Sequence, residues 1–286
     1  MYTSIGKTYT KSHNQAVSFA SEIKNSKKMK NVALITGASS GLGREFARIH
    51  AQQGGDSVIV ARSEDKLTAL KSELETQYNV NVLVIAKDLT QPNAPQEIFE
   101  DITQKNIAVE YLINNAGFGG RGKFHERPWE KDLAMIQLNV VALSALTRLF
   151  LPQFVSGNRG KVLNVSSMAS FMPGPLQAVY YATKAYVTFF SNALAEELHD
   201  TEVTVTNLMP GATETEFAKT SGMDKTNLFD KTVSAYSVAK DGYDGMIEGK
   251  LDVISGLTFQ QKIMMKALPF TPKKTILRQI RKMQEV

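Results

Sequence analysis

Short apolar runs alternate with longer helix-like segments along most of this chain, and this alternation constrains its fold more than any other feature. The first run, 31–36, has no polar alternation, which is typical of a parallel strand buried on both faces. About seven strands and six helices are predicted, so we expect one α/β domain with a doubly wound parallel sheet. The predicted strands are 31–36, 57–61, 80–86, 111–113, 161–166, 203–208 and 251–255, and the predicted helices are 44–53, 64–77, 95–104, 129–154, 178–199 and 237–248.

The composition excludes several kinds of chemistry. The 286 residues include no cysteine, which rules out disulfides, thiolate catalysis and cysteine-ligated metals. The four histidines are scattered without metal-ligand spacing, so no metal site is predicted. The longest apolar region, 138–155, is interrupted by Asn139, Arg148 and Pro152, and we expect no transmembrane span. The net charge of +5 lies mostly at the two ends, which gives no nucleic-acid signal for the main domain, and we expect a cytoplasmic location.

Both ends of the chain differ from the main domain, which we place at 29–256. Residues 1–28 are polar and basic, and they read as an N-terminal extension, either an extra helix or a disordered leader. Residues 257–286 form a basic, amphipathic C-terminal extension, with Ile276, Ile280 and Met283 on one helical face. Three interpretations stay open for it: packing over the mouth of the site, which we favour, a solvated helix, or binding to an anionic membrane or an acidic carrier.

A glycine-rich turn follows the first predicted strand. It runs from Gly37 to Gly43 (GASSGLG) and leads into a helix-like segment. A strand, a glycine turn and a helix together can bind the pyrophosphate of a dinucleotide, because glycines allow close backbone approach and the helix N-terminus supplies N–H groups. The spacing G-x-x-x-G-x-G differs from the common G-x-G-x-x-G fingerprint, so a simple turn is the alternative.

The ends of the next predicted strands carry the residues that would distinguish one dinucleotide from another. Where NAD sites place an acidic residue, this chain has Ala61 followed by Arg62, and an arginine suits a 2′-phosphate. This favours NADP(H), with a solvated arginine as the alternative. Asp88 ends the third strand and either contacts an adenine ring or caps a turn. The segment 114–117 (NNAG) predicts a tight turn facing the cofactor.

Tyr180 and Lys184 form the most chemically suggestive pair. They are four residues apart on a predicted helix, so they share one face. A nearby ammonium favours the phenolate and lowers the tyrosine pKa from about 10. Such a tyrosine can exchange a proton with an alcohol or a carbonyl. Ser167, thirteen residues before Tyr180 at a strand end, could hydrogen-bond the same substrate oxygen.

A second Tyr-x-x-x-Lys pair, Tyr236 and Lys240, offers a rival for the same chemistry. The residue thirteen positions before Tyr236 is Met223, which has no hydroxyl group. We therefore favour Tyr180. Asn139 lies among apolar neighbours of the long fourth helix, and a buried amide needs partners, so it is either structural or part of a proton path.

Taken together, these motifs resemble the short-chain dehydrogenase/reductase family over 31–256. The likeness rests on T-G-x-x-x-G-x-G at 36–43, Asp88, N-N-A-G at 114–117, Asn139, Ser167, Tyr180, Lys184 and P-G-x-x-x-T at 210–215, in the family's order. The resemblance implies a Rossmann fold and metal-free, reversible hydride transfer between NADP(H) and a carbonyl/alcohol pair. It also implies a homodimer or homotetramer.

The resemblance also implies residue roles. Tyr180 is the expected general acid/base, and Lys184 is expected to lower its pKa and bind the nicotinamide ribose. Ser167 would hold the substrate oxygen, and Asn139 would anchor a water between Lys184 and solvent. The implied substrate-binding residues are Ser167, Met168, Tyr180 and Phe217. The implied cofactor-binding residues are Gly37, Ser39, Ser40, Gly41, Leu42, Gly43, Arg62, Asp88, Leu89, Asn115, Ala116, Gly117, Tyr180, Lys184, Pro210, Gly211, Thr213 and Thr215.

Apolar residues around these motifs indicate the substrate class. Apolar walls bury apolar substrate surface, which favours a lipophilic ketone or aldehyde: acyl-chain, steroid-like or aromatic. The same residues could instead be core. Two alternative functions are an NADP(H)-binding redox sensor, disfavoured by the complete Ser–Tyr–Lys set, and an NAD-linked alcohol dehydrogenase, disfavoured by Arg62. The apolar residues around the motifs are Met168, Phe171, Met172, Pro173 and Leu176, with Phe118 and Phe217.

Overall fold

The computed structural model describes residues 29–224, 226, 232–257, 261, 263, 265 and 268–285. The interpretations of 1–28 therefore lie outside the described residues.

Seven parallel strands form the central sheet, as the alternating pattern predicts. Their order is β3-β2-β1-β4-β5-β6-β9, so the chain reverses direction across the sheet between β1 and β4. Two short strands, β7 (Thr213–Glu214) and β8 (Val233–Ser234), pair in a separate parallel sheet. The central strands are β1 (Val32–Thr36), β2 (Ser57–Ala61), β3 (Val82–Ala86), β4 (Val109–Asn114), β5 (Gly160–Val165), β6 (Val203–Pro210) and β9 (Asp252–Ser255).

Helices cover both faces of the sheet. The first helix begins at Gly41, earlier than predicted, because Ser40 is already the extended N-cap (φ −161°, ψ 172°). The long fourth helix contains an unpredicted π-helical stretch, Gln137–Ala142. The helices are α1 (Gly41–Gln52), α2 (Glu64–Tyr78), α3 (Ala94–Gln104), α4 (Trp129–Ser156), α5 (Ala178–Glu197), α6 (Phe217–Ser221), α7 (Ala235–Glu248) and α8 (Lys273–Gln284).

The core lies in two layers, one on each side of the sheet. Successive residues of a strand point to opposite faces, and in β1 both faces are fully buried. Ala33 and Ile35 pack with α1, α2 and α7. Val32 and Leu34 pack with α3 and α4 on the other face. A strand enclosed in this way must be apolar throughout, which is why the run lacks alternation.

A buried histidine ties the first and seventh helices together. The Nε2 atom of His50 lies 2.7 Å from the Asn31 carbonyl oxygen, so this nitrogen carries the proton. The Nδ1 atom then accepts from the Tyr243 hydroxyl at 2.8 Å. Burial lowers the pKa of His50 below its usual 6.5 and keeps the imidazole neutral.

By length and composition alone, the 28-residue helix α4 could cross a membrane, which differs from the expectation above. Core helices of soluble proteins can pass the same test. Here Leu146, Phe150 and Phe154 are buried in the core layer against the sheet. The opposite side of the helix exposes Leu133 and Val141.

Candidate active site

A cavity of about 740 Å³ lies beside the carboxyl ends of the central strands. Open α/β sheets bind ligands at this edge, near the point where the strand order reverses. The structure brings most of the predicted site residues to its wall, while Asn139 and Gly43 lie behind it. The predicted residues on the wall are Gly37, Ser39, Ser40, Gly41, Leu42, Arg62, Asp88, Leu89, Asn115, Ala116, Gly117, Ser167, Met168, Tyr180, Lys184, Pro210, Gly211, Thr213, Thr215 and Phe217.

The glycine turn forms one end of this cavity. Gly37 has a left-handed backbone (φ +69°), and its N–H donates to the Val60 carbonyl at 2.8 Å. A Cβ on Gly43 would lie 2.2 Å from the Gly37 carbonyl oxygen. Gly43 therefore supports the turn by letting α1 pack against it, and its predicted part in cofactor binding stays a prediction.

Thr36 fastens this turn to the neighbouring strand, and sequence reasoning assigned it no such role. Its hydroxyl accepts from the N–H groups of Asn115 and Ala116, each at 3.0 Å. The Asn115 side chain donates in turn to the Thr36 carbonyl at 2.8 Å. The sequence did hold a signal for this role, because Thr36 is a hydroxyl residue at the end of an apolar run and directly before a glycine turn.

The cavity wall beyond the ends of β2 and β3 is rich in cations. Arg62 is exposed there beside Lys66 and Lys87. Lys66 lies 3.7 Å from Glu216, and Lys87 lies 2.7 Å from Glu97. Among the described side chains, Arg62 has no ion pair or side-chain hydrogen bond, so its guanidinium remains available to an anion.

Asp88 both lines the cavity and caps a turn. Its Oδ1 atom accepts from the backbone N–H of Thr90 at 3.0 Å and from the Thr90 hydroxyl at 2.9 Å. The alternative assigned to it, a turn cap, is therefore realised. The adenine contact stays a prediction.

Tyr180, Ser167 and Lys184 meet in the middle of the cavity. Tyr180 and Lys184 occupy the first two turns of α5, and both side chains are buried. The Ser167 side chain lies close enough to the Tyr180 phenol to lower its pKa, and Ser167 accepts from the Ala169 N–H at 3.1 Å. The Lys184 Nζ atom donates to the Val165 carbonyl at 2.8 Å and lies 5.9 Å from the centre of the Tyr180 ring.

The electrostatics of this trio differ from the expectation. Burial raises the pKa of Tyr180 above its ordinary value of 10, and the nearby Ser167 side chain only partly opposes this. Burial also lowers the pKa of Lys184 to about 8. The ammonium is directed to the Val165 carbonyl, and desolvation of the phenol dominates. Tyr180 is therefore a neutral phenol near pH 7, and the lowered pKa expected for it is not found.

Asn139 holds the wall of the cavity from behind. It lies in the π-helical stretch of α4, a local feature that often marks functional sites. Its Oδ1 accepts from the Phe118 N–H at 3.1 Å, and its Nδ2 donates to the Phe118 carbonyl at 3.0 Å and to Thr183 Oγ1 at 3.1 Å. These hydrogen bonds support the structural role considered for Asn139, and its water-anchoring role stays a prediction.

Three of the apolar residues predicted to surround the site do not line the cavity. Phe171 is 42% exposed, and neither it nor Pro173 nor Leu176 lines the cavity. Met168–Phe171 form a 3-10 turn that directs Phe171 to the surface. The apolar residues that do line the cavity include Phe118, Met168, Ala169, Met172, Phe217, Met223, Leu257, Met265, Ile280 and Met283.

The rival tyrosine pair lies elsewhere. Tyr236 is 46% exposed and outside the cavity, and Lys240 forms an ion pair with Asp244 at 2.5 Å. Tyr180, and not Tyr236, therefore lies on the cavity wall, and its catalytic role stays a prediction.

Comparison with known proteins identifies the family. Residues 31–226 match the family model described as short chain dehydrogenase. The chain is 34% identical over 196 residues to very-long-chain 3-oxoacyl-CoA reductase of Bos taurus, covering 65% of this chain and 61% of that protein. It is 34% identical over 182 residues to 7beta-hydroxysteroid dehydrogenase of Mediterraneibacter gnavus, covering 64% and 68%.

A solved structure shows the same fold. The short-chain dehydrogenase from Sphingobium yanoikuyae in complex with NADPH superposes with a TM-score of 0.76 at 30% identity, covering 84% of this chain and 93% of that chain. The fold, the order of the motifs and the family model agree. This chain belongs to the short-chain dehydrogenase/reductase family.

Proposed function

We propose that this protein is an NADP(H)-dependent reductase that interconverts a lipophilic ketone or aldehyde and its alcohol. Membership of the family makes it an oxidoreductase acting on CH–OH groups. The observation that carries the proposal is the meeting of Ser167, Tyr180 and Lys184 in one cavity with the glycine turn. A proton donor and a dinucleotide-binding turn on the same cavity wall are the requirements of carbonyl reduction.

The cavity fits a dinucleotide. Ser40 makes no side-chain cap on α1, which leaves the first N–H groups of the helix for an anionic group. A Cβ on Gly37 would lie 2.9 Å from the Ala116 backbone, and a Cβ on Gly41 would lie 3.0 Å from Thr215, so glycine keeps this cradle open. Gly37, Ser39, Ser40 and Gly41 would hold the phosphates, and a bound NADPH would supply the hydride.

The protein's own residues would supply the proton. Ser167 lies close to the Tyr180 phenol, so a carbonyl oxygen placed against both hydroxyls would be fixed and polarised. Tyr180, kept protonated by burial, would give its proton to that oxygen as negative charge develops. Lys184 lies one turn further along α5 than Tyr180 and is held by its hydrogen bond to the Val165 carbonyl. Its ammonium would stabilise the resulting phenolate.

The preference for NADP(H) over NAD(H) rests on Arg62. A planar guanidinium that has no ion pair or side-chain hydrogen bond in the described part of the chain, flanked by two lysines, suits a 2′-phosphate. We expect Arg62→Ala to raise the KM for NADPH about 10- to 100-fold, the value of one charge-assisted contact. The KM for NADH should change little. Arg159→Ala, which alters an exposed arginine preceding β5, is the matched control. An unchanged NADPH/NADH preference in Arg62→Ala would remove the support for NADP(H).

The lipophilic substrate is supported by the apolar cavity wall and by the relatives named above. The test is NADPH oxidation with purified protein on 2-alkanones of increasing chain length and on steroid ketones. We expect kcat/KM to rise up to about fourfold per buried methylene. Activity that falls with chain length would contradict the lipophilic pocket. Tight NADPH binding with no turnover of any carbonyl would favour the redox sensor, and faster alcohol oxidation with NAD would favour the NAD-linked dehydrogenase.

We also propose a cytoplasmic homodimer or homotetramer. Apolar side chains stand exposed on neighbouring helices, Leu133 and Val141 on α4 and Tyr186 and Phe189 on α5, with Phe189 73% exposed. Contiguous exposed apolar surface favours association. Light scattering after size exclusion should give two or four chain masses, and Phe189→Lys should lower that number. A wild-type protein that stays monomeric at 50 µM would contradict this assembly.

A further inference from the structure

The C-terminal helix α8 closes one side of the cavity. Ile280 is buried, Met283 is 38% exposed, and both line the cavity wall. The helix lies beyond 31–226, the part of the chain that matches the family model. The family pattern alone therefore does not account for this wall.

The last turn of α8 is fastened on two sides. The backbone carbonyl of Gln284 accepts from the Arg121 Nε at 2.6 Å. The Gln284 side-chain amide donates to the Tyr181 hydroxyl at 2.9 Å. Tyr181 follows Tyr180 directly, and the two rings meet edge to face at 6.1 Å. The helix is thus fixed both to the loop after β4 and to the helix that carries the proton donor.

Burial of the Gln284 side chain for packing alone would be energetically unfavourable. Its side chain is fully buried, and its Oε1 atom has no partner among the described residues. A buried polar atom without a partner is destabilising, and an apolar side chain would fill the same space without that cost. The hydrogen bond to Tyr181 gives the amide a positioning role.

The apolar and the basic residues of α8 lie on different sides of the helix. Ile280 faces the cavity, while Lys274, Arg278 and Lys282 are exposed to solvent. Ile280 and Met283 of the apolar face therefore contribute to the cavity wall, and Met283 keeps 38% of its surface exposed.

We propose that Met283 and Ile280 are specificity-determining residues, and that Gln284 is the positioning residue that holds them. The substrate is then a carbonyl compound whose apolar body extends from Tyr180 to α8. This inference rests on the proposed function and narrows it, because small or hydrophilic carbonyls cannot reach this wall. It makes the C-terminal extension part of the substrate site.

The direct test compares Met283→Ala with Lys282→Ala, its exposed neighbour on the same helix. The measured quantity is the ratio of kcat/KM for 2-dodecanone to that for 2-butanone. We expect Met283→Ala to lower this ratio about 10-fold, since it removes most of the apolar surface of one side chain. Lys282→Ala should leave the ratio as in the wild type. Equal ratios in all three proteins would overturn the proposal.

A binding measurement separates this inference from the proposed function. Displacement of 1-anilinonaphthalene-8-sulfonate by 2-dodecanone, with NADPH present, reports occupancy of the cavity without turnover. Met283→Ala should weaken this displacement about 10-fold even if no carbonyl is reduced. Unchanged displacement would overturn the proposal. So would flotation with phosphatidylglycerol vesicles that Met283→Ala abolishes, because the apolar face would then serve a membrane.

The positioning role of Gln284 has its own readout. Gln284→Met keeps the volume of the side chain and removes its hydrogen bond to Tyr181. We expect the KM for 2-dodecanone to rise about 10-fold, with a much smaller change in kcat. A parallel loss of kcat for both ketones would instead show a general structural role and overturn the assignment.

Discussion

Tyr180→Phe reduces kcat for carbonyl reduction by a factor of about 1000 in the outcome we expect. A positioned general acid contributes roughly 100- to 10,000-fold to such a step. The exchange removes only the hydroxyl, which lies near Ser167. The ring keeps its contact with Phe217, whose centre lies 5.3 Å away, so the fold should be retained. The measurement is NADPH oxidation with the best carbonyl of the graded series.

The matched control for this prediction is Tyr236→Phe. Tyr236 belongs to the second Tyr-x-x-x-Lys pair but lies on the surface of α7, outside the cavity. We expect it to keep the activity of the wild type. If Tyr180→Phe retained more than a tenth of that activity, the proton would have to come from another group.

Gly43→Ala should abolish NADPH binding and destabilise the whole domain. A Cβ at this position would lie 2.2 Å from the Gly37 carbonyl oxygen and 2.6 Å from the Asn115 side chain. Neither neighbour can move freely, because Asn115 is hydrogen-bonded to the Thr36 carbonyl. We expect the free energy of unfolding to fall by about 3 kcal/mol, the upper part of the range for overpacking. Urea unfolding and NADPH titration measure the two effects.

Gly54→Ala is the control for Gly43→Ala. Gly54 follows the end of α1 with a left-handed backbone (φ +75°), and no atom lies within 4 Å of a Cβ placed there. The backbone strain alone should cost about 1 kcal/mol and leave the affinity for NADPH unchanged. Binding of NADPH by Gly43→Ala with the affinity of the wild type would show that α1 and the turn can separate without harm.

The strands and the cavity edge were predictable because their causes are local or periodic. A parallel strand enclosed on both faces must be a continuous apolar run, and β1 has that form. The spacing of Tyr180 and Lys184 was sufficient to predict that they share a face. It could not show how strongly burial would act on the phenol, and so the direction predicted for the Tyr180 pKa was wrong.

The remaining differences have one local cause, at Phe171, and one long-range cause, at the C-terminal helix α8. Phe171 is near the motif in sequence, but a 3-10 turn carries it to the surface. The apolar face of α8 was visible as a pattern, yet the loop and the tyrosine that it contacts were not. Gln284 looked like an ordinary polar residue near the end of the chain. Its importance depends on Arg121, which is 163 residues away.

The hydrogen bond between His50 and Tyr243 has a consequence for how the chain reaches this structure. It joins residues separated by 193 positions, and β1 pairs with β4 across most of the first third of the chain. Closing such long loops is entropically costly before any contact repays it, and parallel sheets of high contact order fold slowly. The glycine turn, the Ser–Tyr–Lys trio and α8 come from distant parts of the sequence. The cavity they share can form only late in folding, so the recovery of enzymatic activity should report the last steps of that process.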